Sequence, residues 1–476
     1  MSDEAGKTPR PIGPDIHPGA RWFFSGIGGV GMNPLAHLFA RRGMQVVGSD
    51  CTAQKTLDPL RAAGITCYVG HDAAHVEDAD LFVYSTAIAQ DNPEFVRARE
   101  RGIPCLHRSL ALALLVNNSH GVTIAGTHGK TTTAAMTAIL FAAAGLDPTA
   151  VIGGFVPQFN AYFRDGHGPH VIAESDESDG SFDRLVSSIA LMLNIDADHL
   201  DFYPNIEAIE TAFCRFLANV RPDGTVIYNA DDPRVCHAVA SAPAAAARVS
   251  CALDARADFT ASGIRLLPWS SEFTVHGGGS EFPVTLGTPG RHKVLNALHA
   301  IAAARVAGVS IESILASLRS FHGVHRRFQL IGEFNGAAVI DDYAHHPCEI
   351  AATHDAARGL GRPIIAVFQP HRFSRTRKLL DEFTDVLGSF DRLILTDIFA
   401  ASEHPSDVSG QTLFDRVRSR APGTQYIPRV EDLLPAVAAA ARPGDVVLFI
   451  GAGSISSAAH ALVAMNRAHS PSPATP

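Results

Sequence analysis

Seven residues, Gly126-Thr127-His128-Gly129-Lys130-Thr131-Thr132, constrain this chain more than any other stretch. They follow an apolar run, Gly121-Val122-Thr123-Ile124-Ala125, and lead into a helix-forming run, Thr131–Ala144. Glycines ahead of a helix leave backbone N–H groups free to face an anion, and the helix dipole adds partial positive charge there. The lysine suits the β- and γ-phosphates of a nucleotide, and the next hydroxyl suits Mg2+. The spacing departs from G-x-x-x-x-G-K-[ST], because positions 124 and 125 are Ile and Ala and the first glycine stands closer to Gly129. A strand, a glycine turn and a helix in that order imply a parallel sheet with crossover helices, so the expected class is α/β with ATP as ligand.

The same grammar occurs three times. A first block opens on Trp22–Ser25, turns on Gly26–Gly31 and continues as a helix over Leu35–Arg42, with later strands at Gln45–Gly48 and Leu81–Tyr84. The second carries the phosphate loop, strands at His170–Ala173 and Ile189–Leu193, an antiparallel excursion around Gly277–Gly279, and a helix over Val294–Ala307. The third holds strands at Ala337–Ile340, Ile364–Phe368, Leu393–Thr396 and Val446–Ile450. We expect a Rossmann-like domain over 19–118, a central P-loop ATPase-like domain with a mixed sheet over 119–325, and a C-terminal Rossmann-like domain over 326–466. His469–Pro476 reads as a disordered tail.

A length of 476 residues suits about three domains. A net charge of −9 and the lack of Lys/Arg runs argue against nucleic acid as a partner. No apolar stretch approaches the roughly 20 residues of a membrane span. The N-terminus has no apolar core of signal-peptide type, so a cytoplasmic location is expected. Seven cysteines, at 51, 67, 105, 214, 236, 251 and 348, show no CxxC pair and read as reduced thiols. Oligomeric state, monomer or dimer, is left open.

The Gly26–Gly31 loop satisfies G-x-G-x-x-G after a strand and before a helix, with Asp50 at the end of the second strand. A nicotinamide dinucleotide and a diphosphate-bearing nucleotide sugar would both use that geometry. In the second block, Glu174–Asp179 and the stretch Asn194-Ile195-Asp196-Ala197-Asp198-His199 each follow an apolar strand. Carboxylates and a histidine at strand ends beside a phosphate loop are candidates for metal or substrate contact.

Together the motifs GIGGVGM, GSD, STAI with DNPE, AGTHGKTTT, AESDESD, NIDADHLDFY, PGRHKVLNALHA, HGVHRRFQ, DDYAHHP and VFQPHRFSRT resemble the Mur ligase family, in the family's order and from about Trp22 to Val463. GIGGVGM and the pair DDYAHHP/QPHRFSRT are most similar to the member that joins L-alanine to UDP-N-acetylmuramate. The resemblance implies an ATP-dependent amide ligase of peptidoglycan synthesis. It implies UDP-sugar contacts at Gly28, Gly29, Val30, Gly31, Asp50, Ser85, Thr86 and Asn92. ATP would meet Gly126, Thr127, His128, Gly129, Lys130, Thr131 and Thr132, with His292, Asn296, Arg327 and Asp341 on the adenine and ribose side. Mg2+ would fall on Thr131, Glu174 and His199. L-Alanine would meet Tyr343, His345, His346, Arg372 and Arg375. Lys130, His199, His345, Arg372 and Arg375 are the expected catalytic set.

There are departures from the family pattern. Ser175 and Cys348 stand where Ala and Thr are usual, and Ala401-Ser402-Glu403 replaces Ala-Gly-Glu. The helix carrying a modified lysine in several sister ligases reads Glu210–Phe216 here and has no lysine. The implied chemistry activates the muramate carboxylate as an acyl phosphate, which the amine of L-alanine then attacks. Positioning and charge stabilisation carry such a reaction. Three other readings are a ligase adding a whole tripeptide to the same sugar nucleotide, a nicotinamide dehydrogenase, and a nucleotide-regulated binding protein without turnover.

Overall fold

The computed structural model describes residues 18–469, apart from 201 and 402. Ser402 and the tail beyond His469 therefore lie outside the described residues.

Three sheets organise the chain. The first is wholly parallel, in the order Thr66–Val69, Gln45–Asp50, Arg21–Ser25, Leu81–Tyr84, Cys105–His107. The order reverses direction beside Arg21–Ser25, which opens a crevice at the C-terminal strand ends where the Gly26–Gly31 loop sits.

The second sheet has ten strands. Its centre is parallel, running Ala247–Ala252, Val220–Asn229, Ser187–Met192, His120–Ala125, His170–Glu174, Thr149–Val156. Beyond Ala247–Ala252 the strands Phe259–Leu267, Ser270–Gly277 and Ser280–Leu286 form an antiparallel meander, and at the other edge Ala161–Arg164 pairs antiparallel with Thr149–Val156. Gly278 and Gly279, both at positive φ, make its last turn, which is the excursion expected around Gly277–Gly279. The third sheet pairs Ala337–Asp342, Val446–Ile450, Ile364–Phe368, Leu393–Leu395 and Gln425–Tyr426 in parallel, with Gln329–Phe334 antiparallel at one edge.

Helices cover both faces of these sheets, so the central strands are apolar throughout rather than alternating. Val446–Ile450 is buried at every residue. The helix after the phosphate loop, Lys130–Ala143, packs on Arg291–Val306; both bury nearly their whole circumference in one core with Ile124, Phe141, Leu191 and Phe321. Each such side chain contributes roughly 1.5–3 kcal/mol by leaving water. That packing holds the loop at the helix start rigid.

The helix Arg108–Asn117 joins the first two bodies. Its Leu114 and Val116 share a core with Trp22 and Leu35 of the first and with Val151 and Leu185 of the second.

Candidate active site

The phosphate loop adopts its shape because two glycines take conformations other residues avoid. Gly129 caps the helix at φ +86°, and an added Cβ would lie 2.8 Å from Asn296 Oδ1. At Gly126, with φ +135°, an added Cβ would lie 3.0 Å from the Asn194 backbone N. Asn194 Oδ1 accepts from the His128 N–H at 2.7 Å, which ties the loop to the next strand end.

Lys130 is drawn back into the loop. Its Nζ donates to Gly126 O at 2.5 Å, to Thr127 O at 3.1 Å and to both oxygens of Glu177 at 2.9 and 2.8 Å. Burial lowers the lysine pKa, but attraction to Glu177 outweighs it and holds the ammonium above its ordinary value. Thr131 Oγ1 donates to Glu174 Oε2 at 3.0 Å, while Gly153 N–H donates to Oε1. Burial raises the Glu174 pKa, so a cation there would relieve a desolvated carboxylate. The hydroxyl and carboxylate are the hard oxygen donors that Mg2+ takes. His199, at φ +52°, has Nε2 3.7 Å from Glu177 Oε1.

The first loop is braced from below. Asp50 Oδ2 accepts from Gly28 N–H at 3.0 Å and Oδ1 from Gln54 at 2.6 Å, so both oxygens are engaged within the protein. Ser85 and Thr86 follow Leu81–Tyr84, and Asn92 caps the helix Pro93–Glu100 by accepting from Glu94 and Phe95 N–H. Behind them Glu94, fully buried, accepts from Ser25 and Ser49 hydroxyls at 2.7 Å each and meets His71 and His75 Nδ1 at 2.8 and 2.9 Å.

The third body contributes the segment Tyr343–Glu349 and the helix Phe373–Lys378. Arg326 and Arg327 lie over the Tyr343 ring, at 4.7 and 5.2 Å. His345 Nδ1 lies 2.9 Å from Tyr343 O, and burial lowers its pKa to about 4, so the ring is neutral at neutral pH. Glu349 Oε2 accepts from the backbone N–H of His345 and His346, while Oε1 faces His128 at 3.4 Å and Arg327 at 3.7 Å.

Arg375 reaches back across the cleft. Its Nε and one terminal nitrogen donate to Asp198 Oδ1 at 3.2 and 3.0 Å, in a pair whose side chains are 8% and 7% exposed. Lys378 Nζ donates to Leu200 O beside it. On the first body's side, Arg108 pairs with Asp176 at 2.7 Å.

All three bodies line one cavity of about 1240 Å3. Its walls include Gly29, Val30, Gly31, Asp50, Ser85, Thr86 and Asn92 from the first body. Thr127, Gly129, Lys130, Thr131, Glu174 and His199 come from the second, and Arg327, Tyr343, His345, Arg372 and Arg375 from the third. Gly28, Gly126, His128 and Thr132 belong to the same two loops without lining the cavity, and Asn296 stands against Gly129. His292 lies beside Gly290, its pKa lowered to about 3 by burial and Lys293. His346 caps the helix Pro347–Arg358.

Asp341 is not brought to the cavity. Its Oδ2 accepts from Ser456 at 2.6 Å and faces Arg326. The neighbouring Asp342 takes the opposite side of the strand and accepts from Phe328 and Ala344 N–H at 2.7 Å each. Burial raises its pKa to about 6 despite nearby Arg327 and Lys293.

Glu349 and His71 are cavity residues that reasoning from the sequence did not single out, while the sequence shows Glu177 and Asp198 only as members of acidic stretches at strand ends, without their partners Lys130 and Arg375. Glu177 lies within the AESDESD stretch, and His71 follows a strand end as Gly70-His71. Nothing local marks Glu349 or Asp198 as partners of a loop or an arginine in another body.

Family models match three consecutive segments: "Mur ligase family, catalytic domain" over 23–120, "Mur ligase middle domain" over 124–304 and "Mur ligase, glutamate ligase domain" over 326–453. A curated relative from Pelotomaculum thermopropionicum, named UDP-N-acetylmuramate–L-alanine ligase, is 42% identical over 446 residues, covering 92% of this chain and 96% of its own. One of the same name from Geotalea daltonii is 41% identical, covering 93% and 97%. Among solved structures, the UDP-N-acetylmuramate–alanine ligase of Thermotoga maritima superposes with a TM-score of 0.81 at 28% identity, covering 94% of this chain and all of that one. A murein peptide ligase from Psychrobacter arcticus gives 0.71 at 26% identity, covering 94% and 98%.

Proposed function

The chain belongs to the Mur ligase family, and we propose that it joins L-alanine to the carboxylate of UDP-N-acetylmuramate in a reaction driven by ATP. The products are UDP-N-acetylmuramoyl-L-alanine, ADP and phosphate, in peptidoglycan synthesis in the cytoplasm. One observation carries the reading: a single cavity has the Gly26–Gly31 loop, the phosphate loop and the Tyr343–Arg375 surface as its walls. Three ligands bound to three bodies would meet there. The division into 19–118, 119–325 and 326–466 belongs to the same reading, since each segment carries one sheet.

The UDP-sugar docks on Gly28–Gly31, with Asp50 holding the loop and Ser85, Thr86 and Asn92 at its side. ATP phosphates lie on Gly126–Thr132, with Asn296 and His292 behind the loop and Arg327 at the nucleoside end; Asp342 rather than Asp341 faces that side. Lys130 leaves Glu177 to neutralise the transferring phosphoryl group. Thr131, Glu174 and His199 would hold Mg2+, which supplies charge neutralisation of the phosphates when bound.

The muramate carboxylate attacks the γ-phosphorus and ADP leaves, giving an acyl phosphate. The amine of L-alanine then attacks the acyl carbon, and phosphate departs. Arg372, on the cavity wall, receives the amino-acid carboxylate, while Arg375 is engaged by Asp198 and fixes the helix that presents it. His345 is neutral and its Nδ1–H is taken by Tyr343 O, so Nε2 has a lone pair for the ammonium proton. No helix among the described residues is long and apolar enough to cross a membrane.

The test is phosphate release with UDP-N-acetylmuramate and ATP, offering L-alanine, glycine, L-serine and the L-alanyl-γ-D-glutamyl-diaminopimelate tripeptide in parallel. Release that requires both the sugar nucleotide and L-alanine is expected. Preference for the tripeptide would transfer the assignment to a recycling ligase, and release without any amine would remove it.

A further inference from the structure

His128, Asp196, His346 and Cys348 each offer one ligand atom, and the four atoms lie within 4.8 Å of one another. They are separate from Thr131, Glu174 and His199. Two come from the second body, in the phosphate loop and after the strand Ser187–Met192; two come from the third, at the start of the helix Pro347–Arg358.

The outer nitrogens of both imidazoles are already engaged. His346 Nε2 lies 3.2 Å from Ala197 O, so it carries the proton, while Nδ1 faces Asp196 Oδ2 at 3.8 Å and accepts the Cys348 backbone N–H at 3.4 Å, a long cap bond whose lone pair a bound ion would take over. His128 turns Nε2 to Asp196 Oδ2 at 3.1 Å and Nδ1 to Glu349 Oε1 at 3.4 Å. Metal-bound histidines characteristically donate their second N–H to a carbonyl or carboxylate, which fixes the ring and raises its basicity. Here one ring has the carbonyl and the other the carboxylate.

We propose that His128, Asp196, His346 and Cys348 form a four-ligand site for Zn2+ or a similar thiophilic divalent cation, which fastens the phosphate loop to the third body when it binds. Two imidazoles, a thiolate and a carboxylate suit zinc and not magnesium. Four protein ligands leave no open position, so the site is regulatory rather than catalytic. Cys348 is exposed, which gives the ion an entry path. It is also the position where the sequence departs from the family's usual threonine, which offers no thiolate.

Charge balances on binding. Burial pulls the His128 pKa down, but Asp196 and Glu349 outweigh it and hold the imidazolium to about 9. Burial, then Asp196, push the Cys348 thiol up to about 12. A dication displaces one proton from each, so the net charge of the cluster is unchanged. Occupancy holds His128 of the phosphate loop and His346 of the third body together, so the ion inhibits ligation by restraining the two bodies against each other.

Titrating the full chain with Co2+ alone should produce a thiolate-to-cobalt charge-transfer band at one equivalent. The band should vanish in Cys348→Thr and persist in Cys51→Ser, which removes another exposed thiol. Zn2+ affinity, read by competition with a chromophoric chelator, should fall by more than roughly 100-fold in Cys348→Thr, since loss of outer-shell partners alone costs 10–100-fold. That variant should keep its Mg2+-supported ligation rate and lose inhibition by Zn2+. A cobalt–thiolate band undiminished in Cys348→Thr, a band lost in Cys51→Ser instead, or equal Zn2+ affinity in parent and variant overturns the proposal.

Discussion

Asp198→Asn isolates the contact that docks the third body on the second. The Asp198–Arg375 pair is shielded from water, with both donated hydrogen bonds converging on one carboxylate oxygen. Arg375 holds the carboxyl far below the usual carboxylate range, against the effect of burial. Removing one member of a buried pair costs about 3–5 kcal/mol, because the remaining charge is left without compensation. Asparagine keeps an acceptor oxygen and recovers about 1 kcal/mol of that. The net loss is about 2–4 kcal/mol, which at 1.36 kcal/mol per decade is a roughly 30- to 1000-fold shift away from the docked arrangement.

The pair spans two bodies, so the loss should fall on docking rather than on the stability of either body. Small-angle scattering with an ATP analogue and UDP-N-acetylmuramate should show compaction in the parent and a more open ensemble in the variant. The value of kcat/KM for L-alanine should fall at least 30-fold, the low end of that docking shift. Arg375→Met should be comparably damaging. Combining both changes should be no worse than the worse single change, since together they leave no unpaired charge behind. Additive losses would mean that Arg375 meets the substrate independently of Asp198. Near-parental activity in Asp198→Asn would refute the docking argument outright.

Two further outcomes follow from the same geometry. Gly129→Ala forces a side chain to φ +86° and brings its Cβ to 2.8 Å from Asn296 Oδ1. Backbone strain of about 1–3 kcal/mol should weaken ATP-analogue binding by roughly 5- to 160-fold by calorimetry; parental affinity would show that the loop does not need its left-handed turn. His299, in the buried helix Arg291–Val306, has its pKa lowered to about 4 by burial, and its Nε2 is buried without a partner among the described residues. The unfolded chain accepts a proton near pH 6.5 that the folded chain refuses until about pH 4, so stability from this residue is lost as pH falls through that window. Acidification from pH 7 to 5 should therefore cost the parent up to about 2 kcal/mol more than His299→Met in urea unfolding. Equal losses in the two proteins would contradict the burial argument.

The parts of this site that can be read along the chain are those built by consecutive residues. A strand, a glycine turn and a helix N-terminus are local objects, so the Gly26–Gly31 and Gly126–Thr132 loops, and the α/β class with them, follow from short windows. What escapes such windows is pairing. Glu177 meets Lys130 across 47 positions and Asp198 meets Arg375 across 177, and neither carboxylate differs by composition from its neighbours in AESDESD or NIDADHLDFY.

Arg375 is instructive for the same reason. A guanidinium in the QPHRFSRT run reads as a substrate carboxylate ligand, and in the structure it lines the cavity while two of its nitrogens donate to a carboxylate from another body. The adjacent pair Asp341 and Asp342 shows a second limit. In a half-exposed strand, alternation would tell which one faces inward. Here Ala337–Asp342 is buried at every residue because helices cover both faces of the sheet, so apolar alternation is absent and the two carboxylates are indistinguishable until the strand is placed between its neighbours. Cys348 belongs with these cases. A lone thiol by sequence, it becomes one corner of a cluster with two imidazoles and a carboxylate only when the third body sets its helix start against the phosphate loop.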